Sequence, residues 1–440
     1  MFIRRHVSTT PTNRILSPFL RGYSSGPPHF YSNKQLELYA NRKTHRLSLR
    51  QLVFFGRSMT EDRLIKSANY VRTELPVRIA HRIRDMQLLP YAVVTEEHVA
   101  QIYSLYWSAF EKLRNYPQIN DRAGNDRFCE FLHEILQEHS AAIPILSLGL
   151  SISSPHLTPD ELDSFMRRML VSRISRRVLA EHHLALSEGF AQREKFQTSV
   201  ENVGIIFTGL NVKRSLDKFI KLISSDAPGG IADRLRQDSV LRSLPKLPEI
   251  VVDGEVDATF SYIREHLEYI ILELLLNAVR ATGYQMCFLP DKVPGVIRAT
   301  ISSDKDDVYL RISDQGGGLM LNERQTPSDL YSFSHHRNIT RLDDARLVAL
   351  QHVSRRKGGM MGKVSEKISA RNSNTRAQEE QEEVAEQEEE PQRMGMGLPL
   401  SNIYATYFGG TLELMSMDGW GTDVYLKLPR LGTNLEGIEV

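Results

Sequence analysis

The segment HLEYIILELLLNAVRAT, residues 266–282, decides the fold. Most of it is apolar, so it reads as a helix packed against a sheet. Two polar residues interrupt it. Glu273 and Asn277 are four apart and share one helix face. Burying either without a partner costs a few kcal/mol. Contact with a metal–nucleotide would supply that partner, since a carboxamide oxygen is a hard donor suited to Mg²⁺. Taken alone, the pair reads better as a solvated helix edge, since exposed Glu and Asn are common.

The chain downstream changes that balance. RISDQGGGL (311–319) ends a strand with Asp314 and three glycines, Gly316, Gly317 and Gly318. A carboxylate at a strand end can accept from an exocyclic amine, and glycines let the backbone approach a flat ring. GMGLPLSNIYATYFGG (395–410) puts Gly395 and Gly397 before a helix, with Met396 and Leu398 beside them. A glycine-rich turn into a helix N-terminus offers free N–H groups to phosphate. GWGTDVYLKL (419–428) sets Thr422 at the start of a strand. Each piece alone is a common turn. Their order within about 150 residues resembles the ATP-binding fold shared by gyrase, the Hsp90 chaperone, sensor histidine kinases and MutL. That resemblance implies ATP and Mg²⁺, with Mg²⁺ on Asn277, adenine on Asp314, and a lid at about 320–394. It also implies nucleotide contacts from Arg280, Gly316, Gly318, Gly395, Met396, Gly397, Leu398 and Thr422.

Upstream the periodicity is helical from about 50 to 195. Ser58 to Glu61 suggests a capping box. Leu64, Ile65, Ala68 and Val71 follow at helical spacing, and Pro76 is expected to kink or interrupt the helix. Further helices are expected from Thr95, over 125–150, and from Thr158 with Pro159 at its first position. Tyr103, Tyr106, Trp107 and Phe110 read as core. After residue 200 come short strands at 203–207, 249–252, 296–302, 308–313, 411–417 and 423–428, with a helix over Ser261–Thr282. The expected fold class is α+β: an N-terminal four-helix bundle (48–195), then an α/β sandwich ATPase domain (200–432) of the histidine-kinase/Hsp90 type.

The 440 residues carry a formal charge of +1, with 55 Lys+Arg against 54 Asp+Glu. This argues against a nucleic-acid binder driven by overall basicity. Two cysteines, Cys129 and Cys287, exclude a disulfide framework or a four-cysteine zinc site. The neutral average hides two unlike blocks. Residues 1–23 are Arg- and Ser/Thr-rich and free of acids, as in a mitochondrial transit peptide, with cleavage expected after Tyr23. Residues 355–393 open as RRKGGMMGK and close with eight Glu over 379–390, an insert too poor in apolar residues to order itself. Gly358 to Lys363 is no phosphate loop, because Lys357 and Val364 stand where Gly and Ser/Thr are needed. No uninterrupted apolar run reaches the roughly 18 residues of a membrane span.

The match narrows further. YVRTELPVRIAHRIRDMQLLP (70–90), SRISRRVLAEHHLAL (172–186), ELLLNAVRAT (273–282) and GMGLPLSNIYATYFGG resemble the mitochondrial 2-oxo acid dehydrogenase kinases over about residues 48–430. The resemblance implies a matrix protein-serine kinase that inactivates the decarboxylase subunit of such a complex, with Glu273 as general base. It implies docking on the lipoyl domain of the acyltransferase core, a homodimer, and a small regulatory acid near Arg78, His81 or Arg173. Two features depart from the pyruvate dehydrogenase members. Tyr269 replaces a His one turn before the base, and the tail LGTNLEGIEV lacks an Asp-Trp pair. Tyr269, His81 and HHLAL look closer to the branched-chain enzyme. Two other readings of the same ATP-binding fold are a histidine autokinase, accepting on His81, His139, His182 or His183, and an ATP-driven chaperone.

Overall fold

A computed structural model describes residues 33–196, 202–225, 230–238, 240–289, 295–319, 327–333, 396–431 and 434–438. The expected import segment at 1–23, Gly395 and the expected insert at 355–393 lie outside the described residues.

The first half is helical: α1 (Lys34–Ala40), α2 (Leu49–Gly56), α3 (Glu61–Gln87), α4 (Tyr91–Val94), α5 (Glu97–Arg114), α6 (Arg122–Glu138), α7 (Ala142–Ile152) and α8 (Pro159–Phe196). α3 lies at the centre, packed on α1, α5, α6 and α8. Pro76 does not interrupt it; the helix runs unbroken for 27 residues. A proline inside a helix costs about 3 kcal/mol. Leu75, Val77, Ile79 and Ile83 are all buried around it, and each returns about 1.5–3 kcal/mol. The capping box falls elsewhere than expected. Ser48 and Gln51 form it at α2, while α3 is capped by Thr60 rather than Ser58. Thr158 caps α8 reciprocally with Glu161.

The stretch 125–150 is two helices, not one. α6 ends at His139 and α7 starts at Ala142. The carbonyls freed at the break are taken by Arg173 of α8, which donates to His139 O at 2.8 Å and Ser140 O at 3.3 Å. This apolar stretch, 122–152, is the one described segment long and apolar enough to cross a membrane, and it lies mostly inside the protein.

The second half carries two sheets. β1 (Asn202–Val203), β2 (Ile206–Asn211) and β4 (Thr259–Ile263) form the smaller, in the order β1-β2-β4. The larger has the order β3-β5-β6-β8-β7, from β3 (Glu249–Gly254), β5 (Val296–Ser303), β6 (Asp307–Ser313), β7 (Thr411–Met417) and β8 (Gly421–Pro429). Only β3 and β5 run parallel. Alternation sets its faces. Ile297, Ala299, Ile301, Val308, Leu310, Ile312, Leu426 and Leu428 are buried. Arg298–Asp253, Arg311–Asp423 and Lys427–Asp307 pair among the intervening residues.

α9 (Val212–Ser224) and α10 (Ile231–Arg236) flank the sheets, and α11 (Arg264–Phe288) is the apolar helix expected from 266–282. It starts three residues later than Ser261, because the alternating TFSYI segment pairs with β2 instead. α12 (Gly397–Thr406) packs against α11. The two run antiparallel: Gly397 lies beside Glu273, and Tyr404 beside Tyr269 and His266.

Candidate active site

α11 supplies the first part of the site. Glu273 is half-buried, Asn277 exposed and Arg280 half-buried, while the residues between them are buried. The helix therefore turns one polar edge outward from an otherwise apolar surface. Burial pushes the Tyr269 hydroxyl well above its ordinary value, and the Glu273 carboxylate one turn away adds to this.

α12 supplies the second part. Met396 at its N-cap position gives no capping side-chain bond, and the first turn holds no acid. Its leading N–H groups and positive dipole end are suited to an anion. A Cβ placed on Gly397 would lie 2.3 Å from Glu273 Oε2, so only glycine lets this helix end meet the carboxylate. The side chain of Met396 is buried, and its Sδ accepts from Ser147 Oγ of α7 at 3.4 Å. A contribution from Met396 to a ligand would come from its backbone.

The third part is the loop after β6. Asp314 Oδ1 accepts from Gly316 N at 2.9 Å and Thr422 N at 3.2 Å, and Asp314 N donates to Thr422 O at 3.0 Å. Oδ2 receives no donor among the described residues. Burial raises the pKa of Asp314 above the ordinary carboxylate value despite these two amides. The loop sits on α11: a Cβ on Gly316 would lie 2.4 Å from Ala281 Cβ. Gly317 and Gly318 have φ of 86° and 88°, conformations that favour glycine. Gly421, which sequence reasoning passed over, is needed as well, since a Cβ there would lie 1.9 Å from Asp314 O. The structure thus joins Glu273 to Gly397, Asp314 to Thr422, and both clusters to one helix.

Residues 46–207 match the profile of the mitochondrial branched-chain alpha-ketoacid dehydrogenase kinases. Residues 263–432 match that of the histidine kinase-, DNA gyrase B- and HSP90-like ATPases. Over 96% of its length the chain is 27% identical to a mitochondrial pyruvate dehydrogenase (acetyl-transferring) kinase 2 of Saccharomyces cerevisiae, covering 91% of that protein. An Arabidopsis thaliana mitochondrial pyruvate dehydrogenase kinase is 28% identical over 89% of this chain and 92% of its own. The human isozyme 4 is 24% identical over 92% and 86%. Over both halves the chain is similar to the mitochondrial 2-oxo acid dehydrogenase kinases. It is a protein kinase that uses ATP.

Histidine chemistry does not suit this kinase. His81, His139, His182 and His183 are all buried. Burial lowers the pKa of each, to about 4 for His182 and about 3 for His183. None lies open to a phosphate donor. Tyr103, Tyr106 and Phe110 are core, as expected. The three helical-half cations differ in their partners. Arg78 is bidentate to Glu436, and His81 Nε2 lies 2.8 Å from Arg42 O. Arg173 pairs with no carboxylate among the described residues, and burial brings its pKa down to about 10.

Proposed function

We propose that this kinase works in the mitochondrial matrix, after loss of residues 1–23, and inactivates the pyruvate dehydrogenase complex. It would transfer the γ-phosphoryl of ATP to a serine of the decarboxylase α subunit. The observation that carries the reading is the meeting of the Glu273 carboxylate with the uncapped start of α12 at Gly397. A proton acceptor and an anion-binding helix end then share one point, as transfer to a hydroxyl requires.

Glu273 accepts the serine proton. The N–H groups at Gly397 and Leu398 offset phosphate charge. Asp314 takes the adenine amine through Oδ2, with Thr422 bracing its other oxygen. Mg²⁺ fits this donor set. No group of three or more His, Cys, Asp or Glu that could hold a metal occurs among the described residues, and the exposed Asn277 carboxamide lies one turn from Glu273. Asn277 would hold the ion together with phosphate oxygens, as Mg²⁺ prefers, and the ion would neutralise charge there.

Tyr269 and the profile matched by residues 46–207 favour a second reading, the branched-chain complex, whereas the relatives named above are pyruvate dehydrogenase kinases. The helical half would dock the lipoyl domain. Of the three cations, Arg173 would take the regulatory acid, since Arg78 is neutralised by Glu436. A homodimer would use the large sheet, whose edge strand β7 exposes Met415 and Met417 next to Trp420.

The test is transfer from Mg·ATP to each purified complex. Phosphoserine on the pyruvate decarboxylase subunit supports the proposal, and phosphoserine on the branched-chain subunit selects the second reading. Steady ATP hydrolysis without transfer would overturn both in favour of a chaperone-type ATPase. An acid-labile phosphoenzyme would do so in favour of the autokinase.

A further inference from the structure

The helical half grips α12 at both ends. At the start, Met396 is 1% exposed and bonded to Ser147 of α7. Along the middle, Leu400 and Tyr404 line a seam with Arg173, Ile174 and Arg177 of α8. At the end, Tyr407 follows the last turn and donates its hydroxyl to Glu436.

Glu436 joins elements far apart in sequence. It is 1% exposed, and its carboxylate takes Arg78 of α3 through Nη2–Oε1 at 2.7 Å and Nη1–Oε2 at 3.1 Å. Oε1 also accepts from Leu47 N at 3.0 Å. The backbone repeats the connection: Glu436 N donates to Leu47 O at 2.9 Å, and Gly437 N to Tyr407 O at 2.8 Å. Arg78 is held in turn by Glu74, the His45 carbonyl and the Ser175 hydroxyl. A bidentate Arg–carboxylate pair fixes direction as well as distance, which apolar packing does not.

α12 has ten residues, so it is about 15 Å long. A tilt of about 4° about its Tyr407 end would carry Gly397 by about 1 Å relative to Glu273. An error of that size at a reacting centre can cost about a hundredfold in rate.

We infer that Glu436 is a positioning residue for phosphoryl transfer: through Arg78 and Tyr407 it fixes α12 on the helical half, and thereby Gly397 against the Glu273 carboxylate. The inference rests on the kinase reading of Glu273. Its second consequence is that any change in the packing of α3, α7 or α8 reaches the catalytic carboxylate through α12.

The test compares full-length Glu436→Ala and Tyr407→Phe with the parent chain, well below the melting temperature of each. Melting temperature, ATP Kd, acceptor KM and kcat per folded molecule are measured. Glu436→Ala should lose at least tenfold in kcat with ATP Kd and acceptor KM within about threefold. Tyr407→Phe, which removes one hydroxyl, should lose three- to tenfold in kcat. A lower melting temperature with unchanged kcat would make Glu436 merely structural and overturn the inference. If Glu436→Ala does not fold, Tyr407→Phe decides, and parental kcat there overturns it. Absence of transfer by the parent chain would instead refute the kinase reading, and this role with it.

Discussion

Replacing Gly397 by alanine isolates the geometry at the heart of the site. The added Cβ would lie 2.3 Å from Glu273 Oε2 and 3.0 Å from its Cδ. Optimal non-bonded contact lies near 3.5 Å, so the carboxylate must retreat by about 1 Å. The backbone does not resist the change: Gly397 is absent from the positive-φ glycines, and alanine is the better helix former. What moves is the end of a flexible side chain, so the strain is about 1 kcal/mol or less. Catalysis is less forgiving, because a 1 Å misplacement can cost about a hundredfold, or about 2.7 kcal/mol of barrier. The adenine contacts proposed for Asp314 are untouched. We therefore expect a melting temperature at or above the parent's, ATP Kd within about threefold, and kcat lowered about a hundredfold. Titration calorimetry and single-turnover transfer to the decarboxylase subunit measure these separately. A second variant checks the cause. With Glu273 shortened to Asp the clash is relieved, so Gly397→Ala should cost little further on that background. A kcat within twofold of the parent would refute the steric reasoning, as would a loss carried wholly by ATP Kd.

Asp314→Asn keeps an oxygen for the Gly316 and Thr422 amides but sets an NH₂ against the adenine amine. ATP Kd should rise about ten- to a hundredfold, equivalent to about 1–3 kcal/mol, and unimpaired binding would contradict the adenine assignment. Burial holds the carboxyl of Asp314 above its ordinary value, so its ionised form opposes folding at neutral pH and the variant should melt no lower. His266 is held neutral by burial and then by Arg177, with a pKa of about 3. The unfolded chain takes up that proton first, so stability falls as pH drops below about 6.5; His266→Phe should flatten urea-derived stability between pH 7 and 5, and an unchanged slope would exclude His266 as a source. A run of eight Glu is unfavourable near a polyphosphate. Deletion of 379–390 should therefore leave ATP affinity intact or improved, and a large loss would place that run at the nucleotide.

The candidate site was legible because its residues have little latitude. Gly317 and Gly318 need positive φ, Gly316 has no room above Ala281, and Glu273 with Asn277 interrupts an apolar helix at one spacing. Such features are local, and a sequence displays local features directly. Four readings failed, three of them where tertiary contacts overrode local preference. Pro76 lies in an unbroken helix because buried neighbours outweigh one lost bond. The helix of 125–150 breaks because Arg173, on another helix, satisfies the carbonyls at the gap. Ser261 to Ile263 pair with β2 instead of starting α11. The capping box moved to Ser48 because Gln51 reaches back to it.

The C-terminal tail shows the limit most clearly. LGTNLEGIEV reads as a short end lacking an aromatic motif, and nothing in its composition singles out Glu436. Its partners lie 29 and 358 positions away, at Tyr407 and Arg78. Arg78, His81 and Arg173 were likewise equal candidates for an acid ligand, because a sequence states residue types and not partners. Glu436 removes Arg78 from that list. Arg173 remains a buried cation beside Arg177, at a seam that also includes Leu400 and Tyr404 of α12. A buried unpaired charge is costly, so an acid bound there would be held by the relief of that cost. It would also lean on the one helix that carries Gly397 to Glu273. Regulation by such an acid should therefore appear in kcat more than in acceptor KM, and Glu436→Ala, which loosens the same helix, should weaken the response. An inhibition of undiminished depth in that variant would mean that the acid acts by a route other than α12.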